Sequence, residues 1–154
     1  MIKSLYLLAA LLGLPAAALA QQAPSRCPPL PASSGLQWTE KVGNGFLACK
    51  ALSADNRQSL NVMLTSRDPD LHLSRSQRAE AGRFSGESLH WYVPELAGSQ
   101  DAAASRRITV VKLGKDQYAQ VWVDAASAED LARLQTLAGQ LDASAGASYL
   151  VSGQ

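Results

Sequence analysis

Ile108–Leu113 and Tyr118–Val123 are runs of β-branched and aromatic residues, separated by Gly114, Lys115 and Asp116. Such runs around a short Gly/Asp-containing turn specify an antiparallel β-hairpin. Alternation in the second strand separates Ala119, Val121 and Val123 from Tyr118, Gln120 and Trp122, and a one-residue slip in pairing would exchange the two faces. Directly downstream, Ser127 stands three residues before Asp130, and Leu131, Leu134, Leu137, Ala138 and Leu141 recur at helical spacing. A capped helix with one apolar stripe must bury that stripe, and the small and branched face of the hairpin is the surface that suits it. The expected fold class is therefore α+β: an antiparallel β-sheet with a C-terminal amphipathic helix packed on one face.

Upstream segments extend the sheet. Leu36–Val42 and Phe46–Leu52 flank Gly43, Asn44 and Gly45 and read as a second hairpin. Ser59–Ser66 alternates with Leu60, Val62 and Leu64 on one side. Asp68, Pro69 and Asp70 form a turn. Ser74 and Gln77 have capping-box spacing and predict a short additional helix running to Ala81, with Gly82 as its C-cap. Leu89–Val93 reads as a strand ending at Pro94, and 98–105 as an exposed loop. The organisation expected is a single α+β domain over 36–141, preceded by a Pro/Ser/Ala-rich extended leader over 21–35 and followed by a frayed, flexible tail over 142–154.

Residues 1–20 carry Lys3, a short apolar run from Leu5 to Leu14, and Ala18-Leu19-Ala20 before Gln21. This is the pattern of a cleaved secretory signal peptide. The run is shorter than the roughly 20 residues a bilayer requires, so the mature chain is expected not to be membrane-integral. Gln21 and Gln22 stand where a lipid-anchored protein would have cysteine, so no lipid anchor is expected. The short signal and the absence of an Asn-x-Ser/Thr sequon suit a bacterial envelope protein, in the periplasm or else secreted to the extracellular space. In an oxidising compartment Cys27 and Cys49, the sole cysteines, are expected to form a disulfide rather than a redox or zinc site.

The chain has 14 Lys and Arg against 13 Asp and Glu, and loss of Lys3 with the signal leaves the two equal. No basic excess marks a nucleic-acid partner. No Gly-x-Ser-x-Gly or Ser-x-x-Lys motif is present, so no enzymatic activity and no cofactor are expected. Asp68, Asp70 and His72 alternate and, with His90, are the one candidate metal set, which would serve a metal-dependent hydrolase. Asp-Pro-Asp turn chemistry accounts for the same residues more simply, and no metal site is assigned.

In an extended His90-Trp91-Tyr92 segment, Trp91 points with Leu89 and Val93 toward the core, leaving His90 and Tyr92 on the opposite face. Tyr118 and Trp122, turned away from the helix, are expected beside them. Arg67, Arg75 and Arg78, in an arginine-rich stretch that continues to Arg83, are candidates for a polar rim. The reading is a small exported, non-enzymatic binding protein acting by protein–protein contact through His90, Tyr92, Tyr118, Trp122, Arg67, Arg75 and Arg78. Its most concrete form is an inhibitor or immunity protein against an envelope-targeting toxin or hydrolase. The alternative is an accessory factor in envelope assembly or secretion.

Overall fold

Two meanders join into one seven-stranded antiparallel sheet in the computed structural model, which describes residues 25–95 and 103–152. The first consists of β1 (Gln37–Gly43), β2 (Phe46–Leu52) and β3 (Ser59–Thr65). The second consists of β4 (Arg78–Phe84), β5 (Glu87–Tyr92), β6 (Arg106–Gly114) and β7 (Gln117–Asp124). The strand order is β1-β2-β3-β7-β6-β5-β4, so β3 and β7 form the seam. Across it Leu60 faces Val123, Val62 faces Val121 and Leu64 faces Ala119. All six are 0–1% exposed, so the two meanders share one core. Both expected hairpins are present with their turns where the glycines stand. The signal segment, residues 21–24 and positions 98–102 of the loop expected over 98–105 lie outside the described residues; Ala103 and Ala104, expected in that loop, are helical.

One face of the sheet carries a layer of helix and leader. Helix α1 (Ala128–Gln140) starts at Ser127, whose hydroxyl accepts from the Asp130 amide at 3.1 Å. Leu131, Leu134 and Ala138 are buried under it. Asp142–Gln154, expected as a frayed tail, instead contains a second helix, α2 (Ser144–Ser152), with Gly146, Ala147 and Leu150 buried. Its small residues permit close seating. A β-carbon on Gly146 would stand 2.7 Å from both the Arg26 carbonyl oxygen and Leu64 Cδ1.

The leader closes the other side of this layer. Cys27 is bonded to Cys49, and the Trp38 indole N–H donates to the Pro28 carbonyl at 2.6 Å. Glu40 accepts from the Arg26 amide at 2.8 Å and from the Ser25 hydroxyl at 2.9 Å. Burial works against its charge, but these hydrogen bonds outweigh it and hold the carboxyl below its usual range. The Arg26 guanidinium lies 4.4 Å from the centre of the Tyr149 ring, tying the leader to α2.

The expected helix over 74–81 is the main correction. The capping box forms, with the Gln77 side chain accepting from the Ser74 amide at 3.2 Å and Ser74 Oγ accepting from the Ser76 amide at 3.3 Å. It caps only a single 3-10 turn, Arg75–Gln77, after which the chain becomes edge strand β4. Gly82 is a strand residue against which the Trp91 indole lies: a β-carbon there would stand 2.6 Å from Nε1. Burial of Phe84 and Trp91, 0% and 1% exposed, outweighs the modest local helix preference of these residues.

Candidate functional site

Among the described residues no helix packs on the second face of the sheet. Recorded pairing places Thr39, Lys50, Asn61, Trp122, Ile108, Tyr92 and Arg78 in one row across all seven strands. Of these, only Asn61 is buried, and its amide donates to Ser59 Oγ at 3.1 Å. The remaining positions on this face, including Phe46, Met63, Tyr118, Val110 and His90, are half-buried or exposed. The opposite side chains of the same central strands are almost fully covered.

This row settles the parity question the sequence raised. Tyr92 pairs with Ile108 and Ile108 with Trp122, so the three lie side by side within roughly 10 Å at the usual strand spacing. Tyr118 lies on the same face one end of β7 away, with the Lys112 ammonium 5.8 Å from its ring centre. His90 shares that face and is exposed, while its backbone carbonyl accepts from the buried Thr109 hydroxyl at 2.8 Å. Leu89 and Trp91 point into the core as expected.

A groove of about 370 Å³ opens at the Trp122 end of the face. Ile108, Gln120 and Trp122 line it together with Pro94, and Arg106 and Asp124 border it. Arg106 Nε donates to Asp124 Oδ2 at 2.8 Å, an ion pair with both side chains partly exposed. Gln120 and Asp124 flank Trp122 on β7, and Ile108 and Arg106 face that strand across the hairpin, whereas Pro94 reaches the groove only because β5 pairs with β6.

The arginines divide. Arg78 stands directly across from Tyr92, at the edge of the aromatic row. Arg67 lies past the end of β3, where its carbonyl accepts from Thr65 Oγ1, and Arg75 sits in the 3-10 turn. Among the described residues no carboxylate pairs with Arg67, Arg75 or Arg78. The Asp68 side chain accepts from the Asp70 amide at 2.9 Å, and Asp70 has φ of 50°, which is turn chemistry. Among the described residues no three His, Cys, Asp or Glu side chains come together as a metal-binding group, so Asp68, Asp70, His72 and His90 are not assembled into one.

A second concavity, about 530 Å³, runs between α1 and the leader. Leu36, Leu134 and Leu137 line it, with Ser34, Gln58 and Arg133 among the polar groups around them. No sequence signal marks it, because its two walls are separated by about a hundred residues. Among the described residues no helix is long and apolar enough to cross a membrane. No family model, curated protein or solved structure matches the chain.

Proposed function

We propose that this is an exported protein of the bacterial envelope that works by protein–protein contact, with the helix-free sheet face as its docking surface. The observation carrying this reading is the Tyr92–Ile108–Trp122 row. Three large apolar side chains stay in contact with solvent on a sheet whose other face is packed to near-complete burial. A solvated aromatic cluster bordered by Arg is the composition of an interface centre and rim. The Cys27–Cys49 disulfide and the signal-like first twenty residues support export. An inhibitor or immunity protein directed at an envelope toxin or hydrolase is the specific form proposed; an accessory factor in envelope assembly or secretion uses the same surface with weaker, multiple clients.

Affinity capture tests the reading. The tagged chain from Gln21, with its disulfide formed, is exposed to envelope extracts beside Tyr92→Ala and Trp122→Ala variants checked for native circular dichroism. A partner retained by the native chain and lost by both folded variants supports the docking surface. Retention unchanged in both variants removes it.

A further inference from the structure

The two faces of the sheet differ in charge as well as in cover. Lys41, Lys50 and Lys112 stand on the helix-free face, because their cross-strand partners Ala48, Asn61 and Tyr118 do. Arg78 and Arg83 join them through Tyr92 and Ser88. All five are exposed. The strand carboxylates turn the other way: Glu40 is held by Arg26 of the leader, Glu80 reaches Arg107 and Gln135 of α1, and Glu87 pairs with core residue Phe84. Among the described residues Asp124 is the one strand carboxylate on the helix-free face, and Arg106 neutralises it. A chain with formal net charge +1 therefore presents a distinctly cationic face.

We infer that this face receives an acidic protein surface, a deepening of the docking reading above that rests on it. The placement of the charges favours an acidic polypeptide over a nucleic-acid strand. Lys41 on β1, Lys50 on β2, Lys112 on β6 and Arg78 and Arg83 on β4 surround the aromatic centre instead of following one stripe, as a groove tracking a nucleic-acid backbone would. Seven strands about 4.8 Å apart and about seven residues long describe a face of roughly 650 Å², near the ~800 Å² each partner contributes to a standard interface. A second copy does not fit, since a two-fold contact would set the same cationic face against itself. Opposite charge on the partner speeds encounter and fixes orientation while the aromatic row supplies contact area.

The probe is poly-L-glutamate, titrated into the isotope-labelled, disulfide-bonded chain from Gln21 while amide shifts are followed by NMR. Expected are shifts concentrated on β1, β2, β4, β6 and β7, an affinity that falls at least tenfold between 50 and 200 mM salt on the scale of screened charge contacts, and a further tenfold loss in Lys50→Glu/Lys112→Glu. Arg57→Glu, an equal charge change per site in the β2–β3 turn, is expected to leave binding within twofold. Shifts spread over α1 and α2, equal weakening by Arg57→Glu, or tighter binding of a single-stranded oligonucleotide or of phosphatidylglycerol vesicles overturns the inference. A partner captured through Tyr92 and Trp122 that survives high salt, together with no polyglutamate binding, overturns the acidic-partner inference alone and leaves the docking reading standing.

Discussion

Arg107 grips Glu80 with two hydrogen bonds, Nε to Oε2 at 2.9 Å and Nη2 to Oε1 at 2.8 Å, across the intervening strand β5. Glu80 precedes Gly82 by two residues and so shares the helix-bearing face with it, where Gln135 of α1 donates to it at 3.0 Å. One carboxylate thereby links β4, β6 and α1. The Arg107 hydrogen bonds are the main reason its pKa is drawn down to about 2, burial opposing them and Gln135 adding to them.

A folded-state pKa below the unfolded value makes Glu80 stabilising above pH 4.5, and that stabilisation is lost as pH falls toward 2. Its side chain is 46% exposed, so screening holds the contribution to below about 1 kcal/mol. Glu80→Gln is expected to be less stable at pH 7 and to lose less stability than the native chain between pH 4.5 and 2. Urea melts at both ends of that window measure it; parallel pH dependences would show that the pair does not contribute.

Gly82→Ala forces a β-carbon toward the Trp91 indole, which is 1% exposed and has no room to retreat. Overpacking of this kind costs about 1–3 kcal/mol. The expected result is a lower urea midpoint with altered tryptophan emission. A substitution that stabilised the chain, as alanine would in a helix, would contradict the strand assignment.

Replacing both Cys27 and Cys49 by serine opens a loop spanning 22 positions and is expected to cost about 3 kcal/mol by the chain-entropy account. Because the bond also anchors the leader beside Trp38, the loss is expected to be accompanied by faster amide exchange in β1. Equal stability of the native and double-serine chains would rule this out.

Gly146→Val places a branched side chain against the Arg26 carbonyl and Leu64. It is expected to unseat α2 while the β3–β7 seam remains. Hydrogen exchange reads this directly: amides over 144–152 lose protection, and those of Val62 and Val121 keep it. Uniform loss of protection would show instead that α2 and the sheet form one cooperative unit.

Alternation along the chain was enough to place both hairpins, the inward set Ala119, Val121 and Val123, and the outward pair Tyr118 and Trp122, because side-chain parity in a strand is a local property. Capping chemistry placed the start of α1 at Ser127, and the presence of just two cysteines, read with the expected export signal, placed the disulfide. Tertiary structure decided what depends on residues distant in sequence. Ser74 and Gln77 form the same hydrogen bonds whether one turn or three follow, and only the edge of β5 and the space under Trp91 make 78–84 a strand. The small residues of α2 carry little helical signal until Leu47, Leu64 and the leader supply a surface to cover. The Tyr92–Ile108–Trp122 row needs β5 paired with β6 beside the legible β6–β7 hairpin, and the cationic face around it also needs β3 paired with β7, a strand order that composition and periodicity do not encode.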